Sequence, residues 1–199
     1  MGVIFPVLDQ IIQRKEKENF LNQHARVIWL TGLPCSGKTT LALALERALF
    51  SKGYMCQVLD GDNIRAGINN NLSFSPTDRT ENIRRIAEVS KLFVSNGIIT
   101  VNAFVSPTNE IRELARHIIG REDYIEIFLN PSPEICEKRD VKGQYRKARL
   151  GEITDFTGVN APFEPSSHPN LVLSTDTNTV SECLEKLLDF IIPFIEYRK

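Results

Sequence analysis

The sequence predicts an α/β fold built on a central parallel five-stranded sheet with helices on both faces. Two observations carry this. Apolar runs alternate with helical patterns along most of the 199 residues, as β-α units require. The runs themselves are short, rich in β-branched residues and nearly continuous, which suits strands covered on both faces. One domain accounts for the length, and 42% apolar with 25% charged residues suits a soluble globular core.

Residues 1–25 are polar and charged with an apolar minority. They read as an arm or short helix on the domain formed by 26–199, with Val7, Leu8, Ile11 and Ile12 as an apolar face. VIWLT (27–31) is the first strand. LALALERALFSK (41–52) then carries strong helix formers and stops at Gly53. CQVLD (56–60) is the second strand. The next helix has Ser75 as N-cap, Pro76 at its first position, Asp78 three residues after the cap and Gly97 as its stop. IITVNAF (98–104) and YIEIFL (124–129) are the third and fourth strands, and Ser132 with Pro133 repeats the helix start signal in NPSPEICEKR. Residues 139–168 hold many cations, turn formers and aromatics without a clear period, as functional or disordered loops do. NLVLS (170–174) is the fifth strand. A helix over 180–195 closes the pattern, with Pro193 expected to break or kink its final turn.

A formal net charge of -1 leaves no basic field for nonspecific nucleic-acid binding, so nucleic acid is not an expected partner and any anion site must be local. Cys35, Cys56, Cys136 and Cys183 are far apart, with no C-x-x-C pair and no histidine at metal-ligand spacing, which reads as free thiols in a reducing cytoplasm. The N-terminus lacks the pattern of a secretory signal, and no apolar run approaches the roughly 20 residues of a membrane span. The expectation is a cytoplasmic protein with no membrane partner.

GLPCSGKTT directly follows the first strand. The pattern G-x-x-x-x-G-K-[ST] is matched by Gly32, Gly37, Lys38 and Thr39, with Leu33, Pro34, Cys35 and Ser36 inside the loop and Thr40 behind it. Glycines let such a backbone curl with its N–H groups inward, and the following helix adds its positive end. Lys38 then reaches the outer phosphates of a nucleotide, and Thr39 offers a hydroxyl to Mg²⁺. Cys35 lies near a helix N-terminus that could lower its thiol pKa; the plainer reading is a small residue filling the loop. The guanine-reading N-K-x-D is absent, and motors usually need more chain, so a small kinase fits the length.

Asp60 and Asp62 stand at the end of the second strand, on the side where open α/β sheets bind ligands. A carboxylate there can orient Mg²⁺ or accept the proton of an acceptor hydroxyl. The structural alternative is that Asp62-Asn63 caps a helix starting at Ile64. Arg65, Arg79 and Asn82 follow, the last two at i, i+3 on one helix face, and guanidiniums near such a crevice suit a second anion. Phe74, just before that helix, could stack on a base or serve as ordinary core.

GLPCSGKTT, LDGDNIRAGINNNLSFSPTDRTENIRRIAEVSKLF, NAFVSP, CEKRDVKGQYRKARLGEITDFTG and PFEP together closely resemble the adenylylsulfate kinases, in consistent order from about Val27 to the final helix. The resemblance implies a P-loop kinase fold with a lid at about 139–160. It implies transfer of a phosphoryl group from ATP, with Mg²⁺, to adenosine 5′-phosphosulfate, giving 3′-phosphoadenosine 5′-phosphosulfate in sulfate assimilation. It assigns the 32–40 loop to ATP and Asp62 to the acceptor's 3′-hydroxyl. Arg65, Arg79, Asn82 and Val105 fall on the acceptor side, with Phe74 and Phe156 sandwiching its adenine. Lys142 matches the lysine of the K-G-x-Y lid segment. Ser106 matches a serine described in the family as a phosphoserine intermediate, although in-line transfer needs only positioning and charge stabilisation. The resemblance also implies a homodimer and a functional link to ATP sulfurylase.

Four places depart from the family's commonest pattern: Pro34-Cys35, Thr39, Ala66 and Thr108-Asn109. Thr39 keeps its hydroxyl. Asn109 stands where an arginine is usual, which removes an anion contact. Two other readings follow, a same-fold kinase for a different anionic nucleotide and a catalytically silent nucleotide-binding module that regulates a partner.

Overall fold

Among the described residues, 5–7 and 9–197 of the computed structural model, five parallel strands form one sheet. They are β1 (Val27–Thr31), β2 (Cys56–Asp60), β3 (Ile99–Ala103), β4 (Tyr124–Leu129) and β5 (Leu171–Leu173), in the order β2-β3-β1-β4-β5. Strand β1 is central, with Val27 opposite both Thr100 of β3 and Tyr124 of β4. The chain builds one half of the sheet, then crosses over β1 to build the other. The loop behind β1 therefore opens where the strand order reverses, the place where such sheets leave a crevice.

The alternation of strand side chains makes two cores. Ile28, Leu30, Val101 and Ile127 pack with Leu41, Leu45 and Leu49 of α2 (Lys38–Ser51) and with Leu187 and Ile191 of α8 (Val180–Ile195). Val27, Trp29, Leu59 and Tyr124 face the other way, onto Ile83 and Ile86 of α4 (Pro76–Ser95) and Ile111 and Ala115 of α5 (Asn109–Ile119). Helices thus cover both faces, as the continuous apolar strands require. A third cluster, Leu33, Cys136 and Tyr145, lies beside the glycine-rich loop.

The strand expectations hold to within a residue at each end, and the Ser75 and Ser132 caps form as read, their hydroxyls accepting from Asp78 N and Ile135 N. Several helices differ. Helix α2 starts at Lys38 instead of residue 41, because the phosphate loop passes straight into it with Gly37 as N-cap. Asp60, not Asp62, caps α3 (Gly61–Ala66), its Oδ1 accepting from Asp62 N at 3.0 Å. Helix α5 is capped by Thr108, whose hydroxyl accepts from Ile111 N, and stops at Gly120. Two short helices, α6 (Pro133–Lys138) and α7 (Gln144–Arg149), flank the start of the cationic 139–168 segment. Pro193 does not end α8, which runs on to Ile195; at this point the ring removes one main-chain donor near the helix end.

Helix α1 (Arg14–Leu21) docks at the opposite end of the sheet from the loop. Arg14 grips Asp123 at 2.6 and 2.8 Å, and Glu18 accepts from the Ala25 N–H at 2.8 Å. Val7, Ile11 and Ile12 are exposed, and Leu8 lies outside the described residues. No helix among the described residues is long and apolar enough to cross a membrane.

Candidate active site

The loop from Gly32 to Thr40 joins β1 to α2 under tight steric control. A Cβ on Gly32, whose φ is +152°, would sit 2.5 Å from the Leu129 carbonyl oxygen. Lys38 folds inside the curl, its Nζ donating to Gly32 O (2.9 Å), Leu33 O (2.6 Å) and Ser36 Oγ (3.2 Å). Burial lowers its pKa to about 8. The Thr39 hydroxyl donates to Asp60 Oδ2 at 2.7 Å, so one carboxylate ties the loop to the end of β2 and caps α3 at the same time. Helix α3 turns Asp62, in its first turn, out to solvent, where its Oδ2 meets Lys142 Nζ at 2.5 Å. That ion pair raises the lysine's pKa and brings the 139–158 segment over the mouth of the loop.

For Cys35 the pKa is raised, by burial first and by Asp140 second, which outweigh the lowering charges of Lys38 and Lys142. The thiol behaves as filling, beside Leu33 and Tyr145.

A second group of residues gathers around Phe74, which is 56% exposed. Arg65 stacks over its ring at 4.3 Å and Arg79 at 5.7 Å. Arg65 Nη1 donates to the Leu72 and Ser73 carbonyls at 3.2 and 2.9 Å. Arg79 bridges two segments: its Nε holds Phe74 O at 2.8 Å, Nη1 holds Thr157 Oγ1 at 2.9 Å, and Nη2 reaches Asp155 O. Burial first, and the Arg65 charge second, keep the Arg79 guanidinium below its ordinary pKa. Two mutually repelling guanidiniums beside an open aromatic ring favour an anionic, planar ligand. Phe156 sits across this bridge, edge-on to Tyr145 with ring centroids 4.9 Å apart. Gly158 closes the turn; its φ of +89° favours glycine, and a Cβ at this position would also push on the Leu33 side chain, 2.7 Å from Cδ2. Asn82 is buried on α4, its Oδ1 accepting from Asn69 Nδ2 at 2.9 Å, and among the described residues no hydrogen bond links it to the Phe74 group.

Val105 and Ser106 form the turn after β3. Val105 O accepts from Thr31 Oγ1 at 2.8 Å. Ser106 adopts φ 45° and is buried, its Oγ accepting the Trp29 indole N–H at 2.9 Å. Asn109 does not stand idle in place of an arginine: its backbone N and Nδ2 hold Glu164 Oε2 at 2.7 and 3.1 Å, and its Oδ1 accepts from Ser167 N at 3.1 Å.

The family model described as adenylylsulphate kinase matches residues 24–174, the stretch that carries every feature above. The chain belongs to the adenylylsulphate kinase family. Its similarity to the adenylyl-sulfate kinase of Bacteroides thetaiotaomicron is 57% identity over 97% of this chain and 96% of that protein. The adenylyl-sulfate kinase of Clostridium kluyveri is 48% identical over 91% of this chain and 90% of its own. Among solved structures, the APS kinase of Mycobacterium tuberculosis in complex with AMPPNP and APS superposes with a TM-score of 0.81 at 40% identity, covering 84% of this chain and 98% of that one. The fold is that of the P-loop kinases.

In this member of the family, contacts that no motif announced hold the motif residues together. Tyr145, the last residue of the K-G-x-Y segment, donates its hydroxyl to Pro34 O at 3.1 Å and fastens the lid helix to the phosphate loop. Thr175, just past β5, donates to Ser36 O at 2.8 Å, and its carbonyl accepts Arg139 Nη2 at 2.6 Å. Asp60 was visible in the D-x-D pair. Arg139 and Thr157 lay within the CEKRDVKGQYRKARLGEITDFTG block without a role of their own, and Thr175, just past the fifth strand, gave no signal.

Proposed function

We propose that this chain transfers the γ-phosphoryl group of ATP to the 3′-hydroxyl of adenosine 5′-phosphosulfate, giving 3′-phosphoadenosine 5′-phosphosulfate and ADP. The observation that carries this is the junction of two sites. The Asp60 carboxylate joins the phosphate loop to the Asp62 turn, and Arg79 joins the exposed Phe74 to the Asp155–Thr157 end of the lid. A phosphate-binding loop thus shares a wall with a cationic aromatic pocket.

Lys38 and the inward N–H groups of 32–39 hold the ATP phosphates, since the amine already lies within the curl. The Thr39 hydroxyl and Asp60 carboxylate are hard oxygen donors that fit a Mg²⁺ ion carried in with ATP. Bound there, Mg²⁺ supplies positive charge to the oxygens of the transferring phosphoryl group. Asp62 takes the proton of the acceptor hydroxyl once Lys142 turns to the phosphates and releases it. Phe74 and Phe156 stack on the acceptor's adenine, and Arg65, Arg79 and Asn82 form its phosphosulfate side. Closure of 139–160 excludes water, so the phosphoryl group goes to the acceptor and not to solvent. Val105 and Ser106 line the acceptor wall through their backbone. The Ser106 hydroxyl, buried on the Trp29 indole, is poorly placed to carry a phosphoryl group.

The same reading takes a homodimer, working in the cytoplasm and supplied by ATP sulfurylase. Light scattering tests the first. The deciding experiment is ADP formation from ATP and Mg²⁺ with adenosine 5′-phosphosulfate, run beside a panel of other 5′-anionic nucleotides. Preferred turnover of adenosine 5′-phosphosulfate is the expected result. Preference for another nucleotide would move the assignment to that acceptor, and no ADP above blank with any of them would leave a silent nucleotide-binding module.

A further inference from the structure

Arg112, on α5, has no part in the motifs, yet it is buried to 2% exposure and its guanidinium meets two separate backbone segments. Nη1 donates to Ser106 O at 2.5 Å. Nη2 donates to Asn109 Oδ1 and Glu164 O, both at 2.8 Å, and to Pro165 O at 3.3 Å. Nε lies 3.5 Å from Glu126 Oε1, an ion pair without hydrogen-bond geometry. Glu126 is itself held by Arg116 Nη2 at 2.9 Å and by the Ser166 hydroxyl, so it does not depend on Arg112 alone. The remaining bonds of this clamp run the same way: Glu164 N donates to Pro107 O at 2.8 Å, and Asn109 holds the Glu164 carboxylate.

The two clamped segments are the Val105-Ser106 turn and the segment around Glu164 and Pro165 that leaves the lid, six residues after Gly158. In the proposed reaction, the turn lines the acceptor wall and the second segment continues the lid that closes over the acceptor. Buried polar groups that satisfy several carbonyls at once set backbone position more than they add stability. The planar fork of an arginine holds five donors in a fixed geometry and so fixes carbonyls on separate segments relative to one another, which the rotating point charge of a lysine does less well. We infer that Arg112 is a positioning residue for the acceptor: it fixes the Ser106 turn against the lid's return segment and so sets the width of the acceptor pocket.

The inference rests on the proposed acceptor, and the test separates the two. Wild type, Arg112→Lys and Arg112→Ala are compared for acceptor KM, ATP KM and kcat, and for the emission of Trp29, the chain's single tryptophan, which bonds Ser106 Oγ. Arg112→Lys keeps the charge facing Glu126 but loses most of the fork. Its acceptor KM is expected to rise about 10-fold or more, the loss of roughly one charged hydrogen bond, with ATP KM within about twofold. Acceptor titration should shift Trp29 emission in wild type and need proportionately more acceptor in the variant. Added guanidinium at non-denaturing concentration should restore part of the acceptor affinity of Arg112→Ala. If neither Arg112 variant folds, Asn109→Ala, which opens the exposed rim of the same clamp, should show the same selective rise. An unchanged acceptor KM in Arg112→Lys, or equal rises in both KM values, overturns the inference. A wild type inert toward the acceptor overturns the functional reading instead.

Discussion

Replacing Phe74 by alanine separates acceptor binding from folding. The ring is 56% exposed, so less than half of its surface is covered by protein. Full burial of such a side chain contributes about 1.5–3 kcal/mol, which leaves about 1 kcal/mol for the covered part. The Arg65 stack at 4.3 Å adds about 0.5–1 kcal/mol at an open site. For a domain of this size, a loss of about 1–2 kcal/mol lowers Tm by roughly 2–8 °C, which leaves the enzyme folded at assay temperature. Stacking on a base is worth about 1–3 kcal/mol, or about 5- to 150-fold in affinity. Initial rates of ADP release, with each substrate varied in turn, should therefore show acceptor KM rising by that factor while ATP KM stays within about twofold. An acceptor KM within twofold of wild type, or a parallel rise in ATP KM, would refute the placement of the acceptor's base at Phe74.

Three further outcomes follow from the site. Asp62→Asn removes the proposed proton acceptor without disturbing the α3 cap, which belongs to Asp60, so kcat should fall about 10²-fold or more with little change in either KM; a kcat within threefold of wild type excludes the role. Lys38 has a folded pKa of about 8 against an ordinary 10.5, so between those values the unfolded chain binds more protons and stability rises with pH. Measured by denaturant unfolding without nucleotide, the stability of wild type relative to Lys38→Met should gain up to about 3 kcal/mol from pH 8 to 10.5, and a flat difference would mean the amine is not desolvated. Cys35, its pKa raised by burial, should react with iodoacetamide near neutral pH more slowly than a free thiol does, and mass spectrometry showing faster alkylation would restore the activated-thiol reading.

The elements that could be read from the chain are those whose signal is local. The strands at 27–31 and 124–129 match residue for residue, because strands buried on both faces are nearly continuous apolar runs; the edge strand at 56–60, buried only at Leu59 and Asp60, matches as well. Ser75-Pro76 and Ser132-Pro133 announce helices because the cap chemistry is contained in neighbouring residues. Helix α7 could not be read this way: six residues of mostly cationic sequence have little apolar stripe, and its order comes from Tyr145 against the phosphate loop and from the Asp140 carboxylate accepting its first N–H groups. The D-x-D pair was legible as two carboxylates near the crevice, but its division of labour was not. The capping bond to Asp60 decides that, and it leaves Asp62 facing the lid.

The sequence by itself determined the parallel α/β architecture, the phosphate loop and, through its ordered motifs, the family and the reaction class. These follow from periodicity and from residue types at fixed short spacing, which one stretch of chain carries alone. Only the tertiary structure decided how the pieces act together. Arg79 spans 78 positions to Thr157, Lys142 spans 80 to Asp62, and Arg112 closes on both Ser106 and Glu164. Such contacts depend on which strand ends the β2-β3-β1-β4-β5 order brings side by side, and no local pattern of residues encodes that distance.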